Sequence, residues 1–162
     1  MNFDRIQQLL TQVQRGELSP AEAALQLKHL PFESLGALKI DHHRALRTGQ
    51  PETIYAPGKT ADEIQAALES ISAAGSDALV TRLTEETAAV LKQRLPELVY
   101  HRRARCAVSY IRADRRPQIE PRGHVSVLCA GVSDLPVAEE ARLTAELMGA
   151  ACELISDVGV AG

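Results

Sequence analysis

The 162-residue sequence predicts an α/β protein in two parts. A small mixed α/β amino-terminal domain, led by a helical hairpin, fills residues 1–119, and the start of a three-layer α/β/α domain on a parallel sheet fills residues 123–162. Three observations predict it. Short apolar runs alternate with longer stretches of helical periodicity. A seam at 112–122, with Arg112, Arg115, Arg116, Pro117, Pro121 and Arg122 and little apolar content, marks a linker. After it comes a strand–loop–helix–strand unit, whose length implies parallel strands joined by a right-handed crossover.

Taken in order, residues 3–14 carry Phe3, Ile6, Leu9, Leu10 and Val13 at helical spacing, closed by Gly16. Ser19-Pro20-Ala21-Glu22 is a capping box with proline at the first helical position. It opens a second helix through Leu25, Leu27 and Leu30, stopped by Pro31. This hairpin reads as a cap or docking arm. Residues 37–41 and 53–55 are short alternating runs, hence strands. Thr60-Ala61-Asp62-Glu63 repeats the capping box ahead of Ile64, Ala67, Leu68 and Ile71, with an end near Gly75. Residues 78–82 follow as a strand, then 85–95 as a helix ended by Pro96, then 98–100 and 106–111 as strands.

Beyond the seam, residues 124–129 are almost continuously apolar, as a strand covered on both faces should be. Residues 130–134 form a loop, and 135–148 a helix with Val137, Ala141, Leu143, Ala145 and Leu147 supplying apolar contacts and Gly149 closing it. Residues 151–155 are the next strand. Two strands and one helix cannot bury their own faces, and the sequence stops on an apolar strand and its loop. It therefore reads as the amino-terminal part of a longer protein.

Composition narrows the function classes. Aromatic residues make up 3% with no tryptophan, which argues against stacking surfaces for single-stranded nucleic acid. A net charge of -3 supplies no global field towards nucleic acid or membrane. No apolar run approaches the roughly 20 residues of a spanning helix, and the amino terminus lacks the pattern of a signal peptide. A cytoplasmic location is the expectation. Cys106, Cys129 and Cys152 are too few and scattered for a disulfide framework and read as small buried hydrophobes, although Cys129 also precedes a helix start that could activate a thiol. One local excess stands out: seven arginines between His101 and Arg122, against Asp114 and Glu120. They read as a solvated face or as a cationic strip for an anionic substrate or another subunit.

Candidate chemistry is uneven along the chain. Gly58-Lys59-Thr60 is not a phosphate loop, because the first glycine of that motif would fall at Thr53. Lys59 at a helix start is still a candidate phosphate contact. Asp41-His42-His43-Arg44 lacks metal-ligand spacing, since adjacent histidines on a strand point to opposite faces, so no metal ligand is assigned; Arg44 is a candidate substrate contact. The informative site is the loop Ala130-Gly131-Val132-Ser133-Asp134, leaving the carboxyl end of a parallel strand, where open α/β sheets bind ligands. Gly131 permits close backbone approach, Ser133 offers a hydroxyl, and Asp134 can hold ribose hydroxyls or simply cap the helix at Leu135.

Gly131-Val132-Ser133-Asp134-Leu135-Pro136-Val137, followed by Glu139-Glu140-Ala141, resembles the first substrate loop of phosphoribosylaminoimidazole (AIR) carboxylases, over about the last 40 residues. Asp41-His42-His43-Arg44, Gly49-Gln50-Pro51-Glu52 and Tyr55-Ala56-Pro57-Gly58-Lys59-Thr60 resemble the amino-terminal domain of the nickel-pincer cofactor biosynthesis protein B family, the pyridinium-3,5-biscarboxylic acid mononucleotide synthases. Asp157-Val158-Gly159-Val160-Ala161-Gly162 is similar to that family's second strand-end loop, which makes Asp157 a further candidate substrate contact. This resemblance implies an AIR-carboxylase-like second domain. It also implies carboxylation of the pyridinium ring of nicotinic acid adenine dinucleotide by CO2 or bicarbonate, with hydrolysis of the phosphoanhydride and release of AMP, in maturing lactate racemase. A cysteine beyond Gly162 would be the nucleophile, Mg2+ would assist the phosphoanhydride step, and the protein would be a homo-oligomer. Gly131 and Ser133 would meet phosphate or carboxylate, and Asp134 ribose or ring. Two other readings stand beside it: an AIR carboxylase or mutase of purine biosynthesis, and a nucleotide-binding module without chemistry.

Overall fold

The computed structural model describes residues 3–27, 32–35, 38–41, 52–110 and 123–160. Helices α1 (Phe3–Gln14) and α2 (Pro20–Leu27) form the leading hairpin. Ser19 caps α2 reciprocally: its hydroxyl accepts from the Glu22 N–H at 3.2 Å, and Glu22 Oε2 accepts from the Ser19 N–H at 2.9 Å. Leu9 and Ala23 are buried, while Leu10 and Leu25 stay exposed. The expected continuation of α2 to Leu30 lies outside the described residues.

Strands β1 (Phe32–Leu35) and β2 (Leu38–Asp41) pair antiparallel. Periodicity alone places no strand over Phe32–Leu35, because so short a run containing Glu33 and Ser34 carries little pattern. Pairing with β2 decides its conformation. The main sheet has the order β3–β4–β6–β5, formed by β3 (Glu52–Tyr55), β4 (Ala78–Thr81), β5 (Val99–His101) and β6 (Cys106–Ser109). β3 and β4 are parallel, and β6 runs antiparallel to both β4 and β5. Thus β3, β4 and β5 all point the same way.

One face of this sheet is covered by α3 (Ala61–Ala73) and α4 (Glu85–Arg94), with Ile54, Ile64, Leu68, Ile71, Val80 and Leu91 in a common cluster. Ile40 of β2 joins it, so the β1–β2 hairpin packs onto the same layer. The predicted capping box is present. Thr60 Oγ1 accepts from the Glu63 N–H at 3.2 Å, and Glu63 Oε2 accepts from the Thr60 N–H at 2.8 Å. The Thr60 backbone N–H, and then its hydroxyl, hold the Glu63 carboxyl below its ordinary range. At α4, Thr84 Oγ1 accepts from the Thr87 N–H at 3.3 Å.

The opposite face takes α5 (Leu135–Leu147). Leu143 lies in a cluster with Leu79, Ala104, Cys106 and Val108, flanked by Tyr110 and Leu147. Arg82 Nε donates to Glu140 Oε2 at 3.0 Å across the same junction. The arginine–proline seam falls outside the described residues, yet elements from both sides of it share this core. Cys106 is fully buried there, and burial pushes its thiol up to about 11, so it stays protonated at neutral pH.

Behind α5, β7 (His124–Cys129) and β8 (Ala151–Ser156) pair in parallel, as the strand–helix–strand unit requires. β7 has the apolar content of a strand covered on both faces, and within these 162 residues one of its faces is open, as a unit of two strands and one helix predicts. Cys129 is buried on the α5 side, but on the other side Leu128 is 64% exposed and its register partner Ile155 is 39% exposed. Next to them Ser126 Oγ donates to Glu153 Oε1 at 2.6 Å, a polar pair suited to solvent. Alternation along the pleat explains it: one helix can cover only every second side chain of each strand. Among the described residues no helix is long and apolar enough to cross a membrane.

Two outcomes follow from this packing. Leu143→Ala removes the side chain that joins α5 to the main sheet, so urea unfolding is expected to show a loss of roughly 2–5 kcal/mol. A loss below about 1 kcal/mol would mean α5 is held elsewhere. Leu128→Ser alters an open face, so stability should change by no more than about 0.5 kcal/mol while hydrophobic-dye binding falls. A clear drop in melting temperature would show Leu128 to be covered.

Candidate functional site

The two strand-end loops behind α5 are built by different backbone devices. After Cys129 the chain passes Ala130-Gly131 and enters a 3₁₀ turn, Val132–Asp134, that runs directly into α5. Asp134 N–H donates to the Gly131 carbonyl at 3.0 Å, and Asp134 Oδ2 accepts from the Gly131 N–H at 3.2 Å. Asp134 is therefore not the helix cap that its position before Leu135 suggests. Its backbone is helical, at φ -89° and ψ -15°, and its side chain makes no capping bond. A capping residue needs an extended backbone to turn its carboxylate onto the following amides; here the carboxylate turns back and closes the loop. Ser133 and Val132 are exposed on this turn.

The second loop starts at Asp157, which adopts the left-handed conformation at φ 64°. Aspartate is among the few non-glycine residues that take it readily. The turn brings the Val158 N–H to the Cys129 carbonyl at 3.3 Å. Gly159 then lies against Ala130, so close that a Cβ built on it would sit 3.3 Å from the Ala130 carbonyl oxygen. Gly131, Ser133, Asp134 and Asp157 are thus brought to one end of the β7–β8 pair, at the carboxyl ends of two parallel strands. Cys129 is buried beneath them, in keeping with a small core residue.

The remaining candidates lie elsewhere. Lys59 follows the turn at Pro57-Gly58, where Gly58 takes φ 80°, and its ammonium donates to the Tyr55 carbonyl at 2.6 Å. Arg44 lies outside the described residues, as do His42 and His43. Among the described residues no three His, Cys, Asp or Glu side chains converge as a metal site.

One feature was not legible in the pattern of residues. Alternation puts Leu79 on the α5 face of β4 and Val80 on the α3–α4 face, which would send Arg82 to the α3–α4 side. Its left-handed backbone, φ 55°, turns the guanidinium to Glu140 on α5 instead. The contacts also fix the direction of α5. Glu140 meets Arg82 past the carboxyl end of β4, and Leu143 meets Leu79 further back. The amino terminus of α5, with its loop at residues 131–134, therefore lies towards the end of the molecule to which β3, β4 and β5 point.

Comparison with known proteins bears on this architecture. Residues 32–112, half of the chain and all of β1 to β6, match the family described as the LarB/PurE-like N-terminal domain. The chain is also 32% identical over 163 residues to an uncharacterized protein of Methanocaldococcus jannaschii, a match covering 97% of this chain and 62% of that protein. It spans about three-fifths of the length of the curated relative it matches. With its mixed sheet, crossover helices and matched span, the chain belongs to the LarB/PurE-like N-terminal domain family.

Proposed function

We propose that the protein acts, as part of a longer homo-oligomeric cytoplasmic chain, in carboxylating the pyridinium ring of nicotinic acid adenine dinucleotide and hydrolysing its phosphoanhydride. The family supports a carboxylase/mutase-type function. The observation that carries the finer reading is the meeting of the two strand-end loops, with Gly159 against Ala130 and Val158 bonded to Cys129. A strand-end surface made of backbone and small side chains suits a flat ring and its phosphates.

In this reading Gly131 admits the ligand close to the backbone, and Ser133 donates its hydroxyl to a phosphate or carboxylate. Asp134, already oriented by the Gly131 N–H, accepts from a ribose hydroxyl or positions the ring. Asp157 borders the same end, and Arg44 and Lys59 are further proposed contacts. A cysteine outside this sequence would add to the cationic ring, making a carbon nucleophilic towards CO2, and would leave once a ring proton is lost. A magnesium ion brought with the ligand's phosphates would neutralise their charge; no step assigned to this chain's residues runs through it. Nicotinic acid adenine dinucleotide and bicarbonate are thus the proposed substrates.

Mass spectrometry of products from the longer protein, nicotinic acid adenine dinucleotide and bicarbonate tests the reading. AMP and a nicotinate mononucleotide bearing added carboxylate are expected, with no turnover by residues 1–162 alone. Carboxylation of aminoimidazole ribonucleotide instead would move the protein to the purine reaction, which the loop at 131–137 also resembles. Asp134→Asn keeps an acceptor for the Gly131 N–H but loses the charge. The specificity constant should fall about ten- to a hundredfold, the equivalent of one charge-assisted hydrogen bond, with the melting curve unchanged. Unaltered turnover would remove Asp134 from the site.

A further inference from the structure

Because β3, β4 and β5 run the same way, the segments that follow them lie together at one end of the main sheet. Their hydrogen bonds join them directly: Ala56 N–H to the Thr81 carbonyl at 3.0 Å, Leu83 N–H to the Arg105 carbonyl at 2.7 Å, and Tyr100 Oη to the Leu83 carbonyl at 3.2 Å. These segments carry Lys59, Arg82, Arg102, Arg103 and Arg105. Lys59 is bonded to the Tyr55 carbonyl, Arg82 is paired with Glu140, and Arg102 Nε donates to Glu85 Oε2 at 3.0 Å. Arg103 and Arg105 are exposed and form no ion pair among the described residues.

Continuing the β4–β6 register beyond Val80↔Ala107 sets Arg82 opposite Arg105, and both are left-handed, at φ 55° and 53°. Arg82 turns to Glu140, and Arg105 closes the turn between β5 and β6, its N–H donating to the Arg102 carbonyl at 3.2 Å. The guanidiniums of Arg103 and Arg105 are thus left exposed and without an ion pair among the described residues. Their planar forks match phosphate oxygens, and the carboxyl ends of parallel strands are where open sheets bind ligands.

We propose that this end of the main sheet is an anion site for a phosphate-bearing small molecule, held by Arg103 and Arg105 with Arg82 behind them. The first turns of α3 and α4, which follow β3 and β4, carry Asp62, Glu63, Glu85 and Glu86, with Asp62 paired to Arg94 and Glu85 to Arg102. Carboxylates at the same end oppose a long polyanion. The site is independent of the proposed carboxylase reading, since it uses none of Gly131, Ser133, Asp134 or Asp157.

The test is a calorimetric titration of inorganic pyrophosphate into the 162-residue chain at fixed ionic strength, repeated with AMP. Saturable one-site binding is expected, weakened about tenfold or more in both Arg103→Gln and Arg105→Gln, the loss of one charge-assisted contact. Arg105→Lys, which keeps the charge but not the fork, should fall between. Lys92→Gln, which removes an exposed cation from the last turn of α4, should bind as the parent does. Pyrophosphate binding without AMP supports a bare phosphate site, and competition by AMP supports a nucleotide-sized ligand. Non-saturating binding, parent-like affinity in both glutamine variants, or an equal loss of binding in Lys92→Gln would each overturn the proposal.

Discussion

The structure depends on a single helix that two sheets share. On one side α5 gives Leu143 and Leu147 to the main sheet, and on the other it connects and covers β7 and β8. Neither contact is optional, because a two-stranded sheet is not stable alone and the main sheet needs its second face buried. Magnitudes separate the two forces at the junction. Burying a leucine side chain contributes about 1.5–3 kcal/mol. A partly exposed ion pair such as Arg82–Glu140 contributes about 0–1 kcal/mol. The apolar contact holds the helix, and the ion pair fixes its register along the sheet.

That register has consequences for chemistry. With Glu140 at Arg82 and Leu143 at Leu79, α5 runs back along β4 and presents its amino terminus towards the end where β3, β4 and β5 finish. The strand-end loops of β7 and β8 and the cationic segments of the main sheet are consequently oriented alike. Parallel strands followed by helices collect backbone amides and loop side chains at one end, and here two sheets obey the rule in the same direction. The family-matched segment, residues 32–112, supplies the cationic end, while the loop at residues 131–134 comes from beyond it.

The loops themselves show how little is needed to shape such an end. Asp134 spends its side chain on Gly131 rather than on the helix, which ties the loop into a closed turn. Asp157 reverses the chain by a left-handed backbone, and Gly159 admits Ala130 where a larger residue would push the loops apart. Each device is local. Their meeting is not, since it follows from the parallel pairing that sets Cys129 beside Ser156.

Local signals in the sequence were sufficient for the local structure. Ser19–Glu22 and Thr60–Glu63 marked two helix starts because a capping box is satisfied within one turn of chain. The strand–loop–helix–strand pattern gave β7, α5 and β8, because a short crossover leaves parallel pairing as the outcome. The loop carrying Gly131, Ser133 and Asp134 was legible for the same reason. What only the tertiary structure decided concerns groups far apart in sequence or held off their usual backbone. The strand at Phe32–Leu35 exists through its partner. Arg82 meets Glu140 only because it takes a left-handed backbone that no periodicity announces. Periodicity reports which face of an element a residue occupies, whereas these contacts depend on where separate elements end and how they are packed.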